Sequence, residues 1–209
     1  MDSRKQFPEF LLAGDSTENN MAIITMTDYF SSLNGWAGNL LNAGQSAVIN
    51  IKTATSLVFT IPIGHDFAGY NVSVVGTGFA FIGGTPTSGT MTGLVIRDQL
   101  GHIVLTVSGL AANTVASDLS LFGSNVFGWT SADGSVYNPY VSNAWSMLLS
   151  GNDVINGTSR NDYCGLPGLG SGNDTYNMFG GDDWILGGQG NDTINGGDGW
   201  DTFSFENSH

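Results

Sequence analysis

The chain has 209 residues, a length that fits one or two domains. Its 18 acidic residues against 5 basic ones leave a formal charge of −13, which disfavours nucleic acid and anionic membrane surfaces as partners. A single cysteine, Cys164, excludes an intramolecular disulfide and a multi-cysteine zinc site, and no stretch approaches the ~18 apolar residues of a transmembrane helix.

Residues 1–20 are polar and irregular and end in Glu18-Asn19-Asn20. They read as a flexible arm or leader. Pro8 and Glu9 interrupt the only apolar stretch there, so it does not make a secretory signal. Residues 21–147 read as a β-rich body, a sandwich or solenoid-like arrangement. Its strand candidates are Ala47–Ile51, Leu57–Ile61, Tyr70–Val75, Met91–Ile96 and His102–Val107, all rich in β-branched residues. Clusters such as Gly76-Thr77-Gly78 and Asp98-Gln99-Leu100-Gly101 read as the turns between them. Two short helices are expected. One spans Thr114–Phe122, with Gly123 as its stop. The other spans Pro139–Leu149, with Asn138 as N-cap, and is placed to cap the open end of the next module.

From Leu148 to Ser204 the sequence follows a nine-residue register. The units begin at Leu148, Gly157, Leu169, Met178, Gly187 and Gly196, and Leu166-Pro167-Gly168 is an insertion of three. Position six is aspartate in every unit: Asp153, Asp162, Asp174, Asp183, Asp192 and Asp201. Position four is Gly151, Gly172, Gly181, Gly190 and Gly199, with Arg160 as the exception. Position eight is Ile155, Cys164, Tyr176, Ile185, Ile194 and Phe203. The chain has 15 aspartates in all, so a column of six in register does not arise from composition. A lone Gly-Asn-Asp is a turn former; six at fixed spacing define a repeat architecture. Half of the acidic residues lie between Asp153 and Glu206, where Arg160 is the only basic residue. Such crowding calls for cations.

These residues resemble the RTX (repeats-in-toxin) nonapeptide family over residues 148–204. The resemblance implies a calcium-binding parallel β-roll in which two units make one coil, so that ions lie between units n and n+2. Six units then imply roughly four such sites. Glycine lets turn carbonyls converge without Cβ clashes, and aspartate adds a hard anionic oxygen, which is the donor set calcium takes. The implied ligands are the six position-six aspartates with the five position-four glycines, and Asp182 and Asp198 as additional ones. Positions seven to nine become a short strand with the eighth residue inward. Cys164 is then a buried small hydrophobe. Arg160 and the insertion weaken the sites that involve the second unit.

The resemblance further implies extracellular location through type I secretion, whose signal is C-terminal and uncleaved. The sequence ends at Phe205–His209, directly after the last unit, and reads as a truncated tail of a longer protein or a processed form. Neither a His-Glu-x-x-His motif nor a Gly-x-Ser-x-Gly elbow occurs, which argues against the metalloproteases and lipases that carry such repeats. His65-Asp66 and His102 read as turn residues. The functional expectation is a non-enzymatic structural or assembly role in a surface layer, filament or matrix. Phe203 and Phe205 at the roll's end would serve self-association into a homo-oligomer. A second possibility is a polysaccharide-binding or accessory module of a larger secreted RTX enzyme, meeting an extracellular polysaccharide through exposed aromatics such as Trp36, Trp129, Tyr137 and Tyr140. Ice or surface adhesion through the position-five column (Asn152, Asn161, Asn173, Asn191) is a third, disfavoured because the adjoining position-three column turns irregular after Ser171.

Overall fold

The structure is a computed structural model that describes residues 21–28, 48–61, 68–82, 85–110, 151–164 and 172–204. Both expected helices, the N-terminal arm, the insertion at Leu166–Gly168, Phe205 and the rest of the tail lie outside these residues. So do His65, Asp66, Trp36, Trp129, Tyr137 and Tyr140.

The described residues are almost entirely β. The body contributes β1 (Ile23–Met26), β2 (Val48–Lys52), β3 (Ser56–Thr60), β4 (Asn71–Ile82), β5 (Thr85–Arg97) and β6 (Ile103–Ser108). The five expected strands are all present. In β1, β3 and the first half of β4 buried and open residues alternate because one face of the sheet lies on the core, whereas Asn50, Ile51 and Lys52 of β2 are exposed; Leu57, Phe59 and Ile61 are buried where β3 and its flank cross it. The Asp98–Gly101 turn forms as expected. Asp98 Oδ1 accepts the N–H groups of Leu100 and His102 at 2.9 and 2.8 Å, and Gly101 takes φ of +87°.

Gly76-Thr77-Gly78 is a correction. It lies inside β4, where the β4–β5 register shifts between Val75 and Gly76 and again between Thr77 and Ala80. These irregularities bring the ring of Phe79 across the hairpin, and Phe79 is buried. A Cβ on Gly76 would collide with the Thr90 carbonyl and that ring, so glycine here permits a bulge within a strand.

The roll contributes β7 (Val154–Asn156), β8 (Tyr163–Cys164), β9 (Thr175–Asn177), β10 (Trp184–Leu186), β11 (Thr193–Asn195) and β12 (Thr202–Ser204). Every one falls within positions seven to nine of its unit. Units one, three and five pair in parallel as β7–β9–β11, and units two, four and six as β8–β10–β12. This is the n to n+2 pairing of a parallel β-roll.

Body and roll share one sheet. β1 pairs antiparallel with β6 and parallel with β7, giving nine strands in the order β11-β9-β7-β1-β6-β5-β4-β3-β2. The registers place Leu57, Val74, Leu94, Val107, Ile24, Ile155, Tyr176 and Ile194 in a single cross-strand row. That row runs through one hydrophobic core, to which the body and the inward column of the odd units both belong.

Candidate metal centre

The turns between the roll strands stack in two columns, one from the odd units and one from the even units. Backbone sterics dictate position four. A Cβ on Gly172 would strike the Gly151 carbonyl, one on Gly190 the Gly172 carbonyl, and one on Gly199 the Gly181 carbonyl. Each position-four Cα therefore rests on the carbonyl of the coil before it. Gly151, Gly181, Gly190 and Gly199 also take positive φ. Arg160 heads the even column, and no described coil of the roll precedes it, which is why a side chain is tolerated there.

The position-six aspartates form a ladder. Asp174 Oδ1 accepts the Asp153 N–H at 2.9 Å and Asp192 Oδ1 accepts that of Asp174 at 3.0 Å. In the even column Asp183 Oδ1 accepts the Asp162 N–H at 2.7 Å and Asp201 Oδ1 that of Asp183 at 3.1 Å. One oxygen each of Asp174, Asp183, Asp192 and Asp201 thus holds the stack together. The structure brings all six expected aspartates into these columns. Asp153, Asp162, Asp174 and Asp183 are buried, and Asp192 and Asp201 are half-buried.

Burial of stacked carboxylates has an electrostatic consequence. Desolvation pushes Asp174 up to about 7, and the charges of Asp153 and Asp192 add to the effect. Burial raises Asp153 and Asp183 to about 6; the Ala22 N–H partly opposes this at Asp153, and the Asp162 N–H at Asp183. Asp162 is raised by burial too, but it is the best compensated of the four. Thr158 donates its N–H to Asp162 Oδ2 at 2.6 Å and its hydroxyl lies 3.1 Å from both carboxylate oxygens.

The second oxygens of Asp153 and Asp183 are buried and accept no hydrogen bond. An orphaned anionic oxygen in the interior is costly unless a cation faces it. Among the described residues no three acidic, histidine or cysteine side chains gather at one point. A cation here must complete its shell from backbone carbonyls, which the glycine turns supply and which calcium accepts. The donor set fits calcium: a hard carboxylate oxygen from position six together with turn carbonyls. Asp182 and Asp198 are exposed. Asp182 Oδ1 is engaged by the Trp200 N–H at 2.9 Å.

The remaining columns are structural. Asn152 accepts the Asn173 N–H and Asn173 that of Asn191, both at 2.8 Å, so these position-five oxygens are committed to the stack. At position eight Cys164 is fully buried with its Sγ 4.0 Å from Met178 Sδ, and burial pushes its thiol well above the usual range. The Tyr176 hydroxyl finds the Gly187 carbonyl at 3.2 Å, which admits a tyrosine to an apolar column.

One functional contact escaped the sequence. Asp28, which lies outside the nine-residue register, accepts the Ser159 N–H at 3.1 Å and lies 3.2 Å from the Ser159 hydroxyl; its carbonyl accepts Arg160 Nη1 at 2.9 Å. No local signal could reveal it, since the partners are 131 and 132 residues apart.

These features define the roll as a calcium-type repeat module. Residues 149–163 and 179–207 match the family model of the RTX calcium-binding nonapeptide repeat, in four copies. The C-terminal part of the chain is therefore an RTX repeat region, and its repeats are of a calcium-binding kind. The match passes over residues 164–178, yet the structure seats Asp174 and β9 in the odd stack between units one and five. Comparison with curated proteins and with solved structures finds no match to the chain.

Proposed function

We propose that the chain is a secreted calcium-binding protein whose roll orders when calcium fills the turn columns, and whose role outside the cell is structural or assembling rather than catalytic. The observation that supports calcium-dependent folding most directly is the pair of buried, unpartnered oxygens on Asp153 and Asp183. The proposed ligands are Asp153, Asp162, Asp174, Asp183, Asp192 and Asp201 with the turn carbonyls at the position-four glycines; Asp182 and Asp198 are available as outer ones. Export by a type I system is the usual route of RTX proteins and belongs to the same proposal. Among the described residues no helix is long and apolar enough to cross a membrane.

The assembly role draws on the far end of the roll. Among the described residues β11 and β12 are edge strands, and Phe203 is 40% exposed although it stands in the inward column. Parallel edges of this kind are pairing templates. Sedimentation velocity of the full chain in calcium and in chelator tests it: calcium-dependent oligomers that weaken with Phe203→Ser support assembly, and a monomer at high concentration in calcium removes it.

A second reading is favoured by one asymmetry. Tyr163, Phe179, Trp184 and Trp200 all belong to even units, whereas the odd units carry valine, threonine, asparagine or glycine at the corresponding described positions. Tyr163 and Trp184 stack with ring centroids 4.4 Å apart, and Trp200 is 88% exposed. Phe179 holds φ of +68° where the sister units place Gly188 and Gly197. An aromatic side of this kind suits a polysaccharide. Affinity electrophoresis against neutral polysaccharides, with Trp200→Ala and Phe179→Gly as variants, separates this reading from assembly.

A further inference from the structure

The steps of the odd stack share two bonds, from the strand N–H to the aspartate carbonyl before it and from the aspartate N–H to the next aspartate's carboxylate, and the first step adds a third between asparagine side chains. Between units one and three, Thr175 donates to the Asp153 carbonyl at 2.8 Å, Asp153 N–H to Asp174 Oδ1 at 2.9 Å, and Asn177 Nδ2 to Asn156 Oδ1 at 3.0 Å. The step from β1 to unit one repeats all three. Val154 donates to the Ala22 carbonyl at 2.9 Å, Ala22 N–H to Asp153 Oδ1 at 2.6 Å, and Asn156 Nδ2 to Thr25 Oγ1 at 3.4 Å. Ala22 stands where a coil would have its aspartate, and Thr25 where it would have its asparagine. On the even side Asp28 receives the first turn through Ser159 and Arg160. The residue that broke the glycine column is the one that clamps the roll to the body.

Order fades in the other direction. The column aspartates are 2–3% exposed from Asp153 to Asp183, but Asp192 and Asp201 are no longer buried. The inward column runs from fully covered Cys164 to open Phe203. Among the described residues the body end of the roll is covered by β1, a strand paired into the body sheet, and no strand pairs beyond the last coil. A coil that docks on an existing strand need not bear the cost of nucleation, whereas a free coil must order two turns and two strands at once.

We propose that β1 acts as the zeroth coil of the roll, so that calcium-driven folding starts at Asp153 and Asp162 against the body and advances outward, with Ala22, Asp28 and Arg160 as positioning residues for the first calcium-ligating carboxylates. This rests on the calcium-binding reading above. It assigns Arg160 a sign opposite to that of repeat logic. Restoring the consensus glycine should harm calcium binding, not improve it.

The test is a calcium titration of the full chain followed by hydrogen exchange and mass spectrometry, comparing residues 153–164 with residues 193–204. In the wild type, protection reaches 153–164 at lower calcium than 193–204. Arg160→Gly moves both midpoints to about threefold to tenfold higher calcium, the range expected for one ordinary solvent-exposed hydrogen bond lost. Asp28→Ala does the same through Ser159, and Arg160→Lys recovers part of the loss. The body strands β3–β5 report whether each variant is folded. Protection that reaches 193–204 first or simultaneously overturns the proposal, as do midpoints unchanged or lowered in both Arg160→Gly and Asp28→Ala. A chain in which no segment gains protection with calcium defeats the calcium-binding reading instead, so the two failures are distinct.

Discussion

Asp153→Asn replaces one oxygen by an amide nitrogen and removes one charge, leaving the shape of the first turn intact. Oδ1 keeps the Ala22 N–H at 2.6 Å, and the change falls on the buried oxygen that has no partner. Burial holds the Asp153 carboxyl at about 6 against an ordinary 3.8. The calcium-free folded chain therefore binds more protons than the unfolded chain between roughly pH 4 and 6, and its stability falls as pH rises across that window. The stabilising proton is fully present below the unfolded value and is lost by neutral pH, at a cost with a ceiling of about 3 kcal/mol. Residual solvent screening reduces that to about 1–2 kcal/mol. Asparagine carries no charge to bury, and an unpaired amide costs less than an unpaired carboxylate. In chelator at pH 7 the unordered roll of the variant should thus lie nearer to folding than that of the wild type by about 1–2 kcal/mol, with the gap closing toward pH 4. In millimolar calcium the order reverses, because the variant lacks a charged ligand. Urea unfolding in calcium and osmolyte-driven folding in chelator, both followed by tryptophan fluorescence, read the two differences, since Trp184 and Trp200 lie in the roll. A variant destabilised equally in chelator and in calcium would refute the reasoning, because the carboxylate would then be a structural hydrogen-bonding group and not a cation site.

Calcium should raise the β signal of the full chain in circular dichroism, and an unchanged spectrum on adding chelator would count against ordering by calcium. Asp162→Ala should shift the calcium midpoints of both residues 153–164 and residues 193–204, because the outer coils build on the first, whereas Asp192→Ala should shift only the outer segment; a shift of residues 153–164 in Asp192→Ala alone would mean the coils order from the other end. Gly190→Ala should cost the roll a few kcal/mol, since its Cβ would meet the Gly172 carbonyl and its φ is +133°, whereas Gly101→Ala, with φ of +87° and open space around it, should cost only about 1–2 kcal/mol in the body. Cys164 should resist thiol reagents in calcium and react in chelator, as burial both covers it and holds the thiol neutral.

The roll was legible in the sequence because its period is local. Nine residues contain the turn, the aspartate and the strand, so the strands at positions seven to nine and the inward residue at position eight follow from counting. Glycine at position four was legible as a pattern, but its cause, the carbonyl of the coil beneath, exists only once coils stack. The body's strands were legible from runs of β-branched residues, and Gly76-Thr77-Gly78 was misread because glycine marks a bulge as readily as a turn. What the sequence by itself determined is the repeat, its donor chemistry and the β character of the chain. Only the tertiary structure decided that β1 joins the two halves into one sheet, that Ala22 takes the place of an aspartate, and that Arg160 and Asp28 meet. Those contacts span about 130 residues, and a four-residue strand such as Ile23–Met26 carries no mark of which neighbours its two edges will find.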